Sequence, residues 1–354
     1  MSRRPMRPTN SDLAELLAAA AQHEEGHRAR ALLRASRRAM FWPREAAEIV
    51  DADPSARSLT ELAGVGPWIA DRLASWLADP PDDAPSVAAE RIGYLSLAQV
   101  RRALDAHSDW AATLRADLQM HTTETDGAVP LDEMASAAWA YGHEFIAITD
   151  HSRTLTITNG MDEERLLAQG RWIERLNADA AEPGRRILRG IEMDLTEDGR
   201  GDMDPEALGR LDLVLGAFHS KLRVSEDQTE RYLAALRNPD VDVLAHPTTR
   251  MWNRRRGLAA DWPRVFALAA ERGVVLEIDG TPYRQDLPVP LLEIAAGFDV
   301  RFSIGSDAHH PRELPSVEFA MASAILAGIP RERILNFESA DAILERRARR
   351  RAGD

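Results

Sequence analysis

Polar side chains that can bind metal ions recur at or just after the ends of short apolar segments in this 354-residue chain. These side chains are Gln119, His121, Asp126, His151, Glu192, His219, His246, Asp307 and His309. Imidazole and carboxylate groups are ligands for Zn, Mn or Fe, and a carboxylate can bridge two ions. The residue types therefore predict a centre of divalent metal ions.

The number of histidines at these positions favours a shared site. The chain contains ten histidines, and five of them occupy the segment ends. A single histidine is more often an ordinary core or surface residue than a ligand, but five at equivalent positions, accompanied by carboxylates, are poorly explained that way. The remaining histidines, which fit ordinary positions, are His23, His27, His107, His143 and His310.

The segments that carry these residues have the pattern of a β/α fold. Seven β-rich runs alternate with helical stretches such as 163–178, 227–237 and 262–272. The runs are 116–122, 144–150, 186–195, 211–220, 241–247, 274–280 and 301–309. Such alternation predicts a parallel sheet, open or closed into a barrel. In β/α barrels the C-terminal strand ends form the active-site face, so the polar residues, which end every run except the sixth, would converge.

The motifs resemble those of a known family, PHP (polymerase and histidinol phosphatase). The matching residues are 117–122, 149–152, 190–192, 219–220, 245–247 and 306–309. Within that family the chain looks closest to the PHP domain of bacterial family X DNA polymerases, as residues 159–160, 238–239, 246–248 and 277–280 indicate. The resemblance implies the α/β fold class, as a distorted (β/α)₇ barrel with two or three divalent ions (Mn, Zn or Fe). It also implies hydrolysis of phosphate esters by hydroxide that the ions generate.

The resemblance further assigns the ligands to three metal sites. Gln119, His121, Glu192 and Asp307 would hold one ion, Glu192, His219 and His246 a second, and Asp126, His151 and His309 a third. Glu192 would bridge the first two ions, and Asp307 or His309 would assist proton transfer. The family usually has His-x-His where this chain has Gln119-x-His121. Because an amide oxygen is a weaker ligand than imidazole, we expect a looser first site or a shift toward Mn.

Several arginines are candidates for binding substrate phosphate. Arg250 and Arg254 follow the fifth run, within a basic loop that extends to Arg256, and Arg153 follows the second. Tyr283-Arg284 follows the sixth run and is a similar candidate. Arginine suits this role because its guanidinium donates paired hydrogen bonds to phosphate. A solvated basic loop would explain the residues after the fifth run equally well.

The first part of the chain indicates a small helical domain. Two amphipathic helices are predicted at 12–22 and 26–40, the first capped by Ser11 or Asn10. Gly64-Val-Gly66 lies between two further helices and resembles a helix-hairpin-helix, which binds DNA phosphate through hairpin N–H groups. Ordinary helix packing around a glycine turn is the alternative. Gly64, Gly66 and Arg72 are the candidate DNA-binding residues.

This part also resembles the N-terminal domain of family X polymerases, with two losses. Those domains can act as a lyase through a Schiff-base lysine, whereas the matching position here is Arg72, and Lys221 is the only lysine in the chain. A guanidinium stays protonated and cannot form a Schiff base, so we expect no such activity. The roughly 40 residues between the two parts are also too few for a polymerase palm.

These features predict a helix-hairpin-helix domain at 1–78, a linker with a short helix at 79–114, a PHP domain at 115–342 and a basic tail at 343–354. The tail carries Arg346–Arg351 on a helix end that we expect to be solvated. The absence of cysteine excludes disulfides and thiol catalysis and fits the cytoplasm. No apolar stretch is long enough to suggest a membrane span, and the start of the chain does not resemble a secretory signal.

Three hypotheses for function follow. The leading one is a phosphoesterase that acts on DNA ends or gaps in repair, as a 3′-5′ exonuclease or a 3′-phosphatase, with other repair proteins as partners. The second is a small-molecule phosphomonoesterase of the histidinol-phosphatase type, which the acidic net charge of −13 favours over a DNA binder. The third is a non-catalytic DNA-binding or scaffold protein, for which Gln119 is the sole support.

Overall fold

The computed structural model describes residues 7–81, 87–180 and 184–352. It divides into two compact units, Met1–Ala106 and His107–Asp354. The division falls within the segment 79–114 that the sequence assigns to a linker, and residues 82–86 of that linker lie outside the described residues. Among the described residues, none of the helices combines the length and the apolar character needed to cross a membrane.

The first unit is helical. Its α-helices are α1 (Asn10–Ala21), α2 (Gly26–Ala39), α3 (Ala46–Ala52), α4 (Pro67–Ala78) and α5 (Leu97–Ala106). Short 3₁₀ helices span Ala56–Glu61 and Ala89–Arg91. The predicted turn at Gly64–Gly66 therefore connects a 3₁₀ helix, rather than an α-helix, to α4. A positive φ of 84° at Gly64 makes this turn possible, since residues with a Cβ rarely adopt it.

The cap of α1 differs from the prediction. Thr9, rather than Ser11 or Asn10, is the N-cap, because its hydroxyl accepts from the Asp12 N–H and the Asp12 carboxylate accepts from the Thr9 N–H in return. Asn10 instead lies buried, where its side chain donates to the Arg44 carbonyl and accepts from the Ala46 N–H, both at 2.9 Å. That arrangement fixes the start of α1 against the start of α3.

The second unit is the predicted barrel. Its strands are β1 (Ala116–Asp117), β2 (Phe145–Ile148), β3 (Arg186–Asp194), β4 (Leu213–Ala217), β5 (Val243–Leu244), β6 (Val275–Asp279) and β7 (Phe302–Gly305). All neighbouring strands pair in parallel, in the order β1 to β7. The predicted seven-stranded α/β architecture is therefore confirmed.

Helices surround the strands. They are α6 (Ser108–Thr113), α7 (Leu131–Tyr141), α8 (Glu163–Asp179), α9 (Pro205–Leu208), α10 (Thr229–Arg237), α11 (Trp262–Arg272), α12 (Val289–Ala295), α13 (Val317–Leu326) and α14 (Ala340–Ala352). Short 3₁₀ helices occur at Thr156–Thr158, Pro311–Ser316, Arg331–Arg333 and Leu335–Phe337. Apolar residues of α7 and α8 pack on the outer face of β2 and β3, which supports the strands from outside the barrel.

Residues that follow β1 and flank β7 nearly close the barrel. The Leu118 N–H donates to the Ile304 carbonyl at 3.2 Å, and the His121 N–H donates to the Ala308 carbonyl at 2.9 Å. The buried Asn336 side chain joins the two strands at the same point, because it donates to the Ile304 carbonyl at 2.8 Å and to the Ala116 carbonyl at 2.9 Å. The first and last strands are thereby held together although no regular ladder connects them.

The C-terminal helix closes the base of the barrel, contrary to the expectation of a solvated end. Ile343 of α14 packs into the apolar cluster at the N-terminal ends of the strands. The Arg347 guanidinium lies 2.7 Å from Asp242, in an ion pair whose side chains are only 10% and 7% exposed. Arg350 contacts the same carboxylate at 2.7 Å. Arg347 and Arg350 of the tail therefore bind the segment that precedes β5 through Asp242, whereas Arg349 is exposed.

Candidate metal centre

The Glu192 carboxylate, near the end of β3, is the central group of the predicted site. One of its oxygens lies 2.8 Å from His246 Nε2 and 3.1 Å from His219 Nε2. The other oxygen lies 3.3 Å from His121 Nε2 and 3.5 Å from His151 Nδ1. A buried carboxylate in contact with four imidazoles from four different loops has the surroundings of a bridging ligand.

Three groups of potential ligands surround this carboxylate, each with donor atoms within 4.8 Å of one another. They are His121, Asp126, His151 and His309; His151, Glu192 and His219; and His121, Glu192 and Asp307. His246 adjoins the second group through Glu192. Gln119 adjoins the third, because its Nε2 donates to Glu192 at 3.0 Å. The fold thus brings together all nine residues that the sequence predicts, in groups close to the three expected ligand sets.

The backbone is strained at two of these residues. His246 and Asp307, which follow β5 and β7, have positive φ angles of 29° and 52°. Residues other than glycine rarely adopt such angles, which cost free energy and are common at functional sites. The Asp117 carboxylate stabilises this end of β7, since it accepts from the Ser306 N–H at 3.0 Å and from the Gln119 N–H at 3.3 Å. Burial raises the pKa of Asp117 to about 7.

Two further carboxylates orient the predicted ligands. Asp194 Oδ1 lies 3.2 Å from His219 Nδ1, which leaves Nε2 of the same ring facing Glu192. Asp150 accepts from the Thr122 N–H at 2.8 Å and from the Thr122 hydroxyl at 2.6 Å, which fixes the loop directly after His121. Partners of this kind set the tautomer and orientation of a metal-binding imidazole.

The sequence reasoning missed the contribution of β6, the one run to which it assigned no ligand. Glu277 accepts the His246 N–H at 2.8 Å, and Asp279 lies 3.2 Å from Arg284 Nε. Arg284 also reaches Asp307, with Nη2 3.3 Å from Oδ2. Burial raises the pKa of both Glu277 and Asp279 well above the usual range. Two acidic residues inside an otherwise apolar strand were the signal that could have revealed them.

The predicted phosphate-binding arginines occupy different surroundings. Arg250 is buried, and Arg254 is exposed on the loop after β5. Arg153 is engaged elsewhere, since it donates to the Asp202 carbonyl at 2.7 Å and lies 3.2 Å from Glu163. Arg284 contacts two carboxylates of the centre and is therefore a supporting residue rather than an open phosphate ligand. Arg153 and Arg254 are thus the two exposed members of the set, and Arg153 pairs with Glu163.

The centre has the donor set and the charge that divalent ions require. Ligands about 2.1 Å from a common ion lie roughly 3.0–3.5 Å from one another, which matches the contacts around Glu192. Asp126, Glu192 and Asp307 bring three carboxylates, and the Arg284 guanidinium contacts Asp307. Burial alone would raise the pKa of Glu192, but the charge of His151 and hydrogen bonds from three other histidines hold it well below its usual range. Cations would offset the remaining negative charge.

Comparisons with known proteins agree with this geometry. No protein-family model matches the chain. The chain is 36% identical over 227 residues to the DNA polymerase/3′-5′ exonuclease PolX of Bacillus subtilis (strain 168), a match that spans 64% of this chain but only 40% of that protein. It is 31% identical over 203 residues to a probable phosphatase of Acetivibrio thermocellus, over 54% of this chain and 78% of that protein.

A solved structure is less similar to this chain than the two sequence relatives are. The crystal structure of histidinol phosphate phosphatase from Lactococcus lactis, complexed with zinc, L-histidinol and phosphate, has a TM-score of 0.46 and 15% sequence identity, over 61% of this chain and 95% of that chain. The 31% match spans more than two thirds of the Acetivibrio thermocellus protein, and the chain carries the PHP motifs at its strand ends. This chain belongs to the PHP (polymerase and histidinol phosphatase) family of metal-dependent phosphoester hydrolases.

Proposed function

We propose that the protein hydrolyses phosphate esters at DNA ends, as a 3′-5′ exonuclease or a 3′-phosphatase. The observation that carries the chemistry is the convergence of nine potential ligands, with Glu192 at their centre as one of the nine. The 36% identity to a polymerase with 3′-5′ exonuclease in its name supports DNA as the substrate. The glycine turn of the first unit supports it independently.

Following the motifs, Glu192 would belong to the ligand sets of the first two ions, and Asp126, His151 and His309 would hold the third. Bound divalent ions supply an activated water and stabilise negative charge on the phosphate. Arg284 holds Asp307 in place, and Asp194 holds His219. The His309 side chain is 33% exposed, more than any other histidine of the centre, so its position among the assigned ligands is the one most open to substrate.

In the first unit we assign DNA contact to the turn before α4. A Cβ built on Gly66 would meet no atom within 4 Å, so its backbone is open to a phosphate group. Backbone N–H groups at a helix start favour such an anion. Arg72 is already engaged, since it lies 3.4 Å from Glu24 and 5.2 Å from the Trp68 ring centroid. We therefore expect the turn, more than Arg72, to contribute affinity.

The second candidate function is hydrolysis of small phosphomonoesters. It is favoured by the probable phosphatase of Acetivibrio thermocellus, which is matched over 78% of its length whereas the polymerase is matched over 40%. The acidic net charge of the chain also fits a small substrate better than a long polyanion.

A substrate panel with Mn²⁺ distinguishes the two functions. Single- and double-stranded DNA with 3′-hydroxyl or 3′-phosphate ends would be compared with free phosphomonoesters, using His219→Ala as the inactive control. Release of products from DNA ends supports the proposal, and hydrolysis of phosphomonoesters alone contradicts it. Gly66→Glu should raise the KM for DNA because it brings a negative charge to the turn, whereas Gly66→Ala, the matched control, should not.

A further inference from the structure

Two aromatic side chains lie on the loops beside the metal centre. Trp252 follows β5 and Tyr283 follows β6, and their ring centroids are 6.4 Å apart with the planes inclined by 43°. Trp252 is half-buried, whereas Tyr283 is 52% exposed, which is unusual for so large a ring in the described part of the chain. The pair therefore presents aromatic surface to solvent at the active-site end of the barrel.

The loops that carry the pair are fixed to the centre. The Trp252 N–H donates to the Tyr283 carbonyl at 2.8 Å, which joins the two loops directly. Arg284, the next residue, contacts Asp307 of the centre at 3.3 Å. On the other loop, the Thr248 N–H donates to Asp286 Oδ1 at 3.0 Å. The backbone that carries the two rings is thus held in a set position, and a ligand would not have to order these loops.

The backbone near the aromatic pair is strained, and two positively charged side chains lie on the same loop as Trp252. Thr249, Asn253 and Gln285, close to the two aromatic residues, have positive φ angles of 56°, 59° and 47°. Strain of this kind persists where function requires a particular loop shape. Arg254 and Arg256 are exposed on the same loop as Trp252, and neither forms an ion pair within the part of the chain that the structure describes.

We propose that Trp252 and Tyr283 form a stacking platform for the terminal base of a single-stranded nucleic acid whose phosphates contact Arg254 and Arg256. Aromatic rings stack on the face of any base, and neighbouring basic residues follow the strand. Two unpaired arginines beyond the metal centre favour a strand with several phosphates over a free monophosphate. The platform rests on the proposed DNA-end function and specifies its substrate as a frayed or single-stranded end.

The test compares two oligonucleotides that differ only in whether the 3′-terminal nucleotide carries a base. For the wild-type protein with Mn²⁺, we expect kcat/KM to be roughly 5- to 150-fold higher for the end with a base. The ratio should fall to about 1 in Trp252→Leu and in Tyr283→Leu, and Trp252→Phe should restore most of it. Tyr141→Leu is the matched control, because Tyr141 is an exposed aromatic residue at the opposite end of the barrel, before β2.

A binding measurement gives the same comparison without turnover. Fluorescence anisotropy of 5′-labelled oligonucleotides with a non-hydrolysable terminal linkage, using the whole 354-residue chain with Mn²⁺, should reveal tighter binding of the end with a base, and both leucine variants should remove the difference. A wild-type ratio near 1, or a ratio that both leucine variants leave unchanged, would overturn the platform while leaving DNA hydrolysis intact. Hydrolysis of glycerol phosphate with neither oligonucleotide cleaved would instead overturn the proposed function, and the platform with it.

Discussion

Removing the carboxylate of Asp194 should weaken the metal centre without changing a predicted ligand. Asp194 Oδ1 lies 3.2 Å from His219 Nδ1, while Nε2 of the same ring lies 3.1 Å from Glu192. The backbone at this position is held separately, because the Asp194 N–H donates to the Ser152 hydroxyl at 2.8 Å. A substitution here therefore acts on the imidazole and leaves the strand in place.

Loss of a carboxylate that orients a metal-binding histidine typically costs about 10- to 100-fold in metal affinity or activity, or roughly 1.4–2.7 kcal/mol. In Asp194→Asn an amide oxygen can still accept a hydrogen bond from His219, so we expect a loss near 10-fold. In Asp194→Ala no acceptor remains, and a loss nearer 100-fold should follow. A larger loss of metal affinity or activity in Asp194→Ala than in Asp194→Asn is thus part of the prediction.

The assay is chelator competition for Mn²⁺ and Zn²⁺, combined with kcat/KM on the best substrate of the panel. Asp198→Asn is the matched control, since it removes the same charge from the loop after β3, where Asp198 pairs on the surface with Arg200. Affinity unchanged in Asp194→Ala would refute the orienting role. An equal loss in Asp198→Asn would point instead to a general effect of negative charge.

Three further predictions concern other parts of the molecule. Gln119→His should raise the affinity of the first site for Zn²⁺ relative to Mn²⁺ by about 10-fold in chelator competition, because imidazole is the stronger ligand, and a decrease would contradict the assignment. Ile343→Ala should lower the free energy of unfolding in urea by about 2–5 kcal/mol, because it leaves a cavity where α14 meets the barrel; a change below 1 kcal/mol would exclude that packing. Burial lowers the pKa of His143 to about 4, below its unfolded value of about 6.5, so the wild type should lose up to about 3 kcal/mol of stability as the pH falls from 6.5 to 4. His143→Leu should not show this loss of stability. If the free energies of unfolding of the two proteins fell in parallel with pH, the prediction would be wrong.

The metal centre could be predicted because its residues follow a sequence pattern that can be recognised without knowledge of the fold. A polar residue at the end of an apolar run must lie on one edge of a parallel sheet, so His219 and His246 could be placed together from the sequence. Glu277 and Asp279 were missed because neither belongs to the predicted ligand motifs, although Asp279 is the last residue of β6. Their role depends on contacts with His246 and Arg284, which only the folded barrel brings about.

Tertiary contacts also explain the other differences. The Arg346–Arg351 helix looks solvated by composition, but Arg347 finds Asp242, more than 100 positions earlier, at the base of the barrel. The strand after Arg115 is shorter than its apolar run, since Ala116–Asp117 alone forms the ladder with β2. The residues that follow form backbone hydrogen bonds with the end of β7 instead, where the first and last strands of the barrel meet. No local signal in the sequence encodes either contact.

Buried carboxylates replace the regular hydrogen bonds that the strand ends lack. Asp117 accepts a backbone N–H at the end of β7, Glu277 does so at the end of β5, and Asp286 does so two residues farther along. Each holds a segment that has left strand geometry, next to His246 or Asp307 with their positive φ angles. Part of the acidic excess of the chain is therefore structural, because it fixes the irregular backbone that aims the ligands. Removing one of these carboxylates would leave a buried N–H without a partner. The backbone at the metal centre would then be destabilised by about 1–3 kcal/mol.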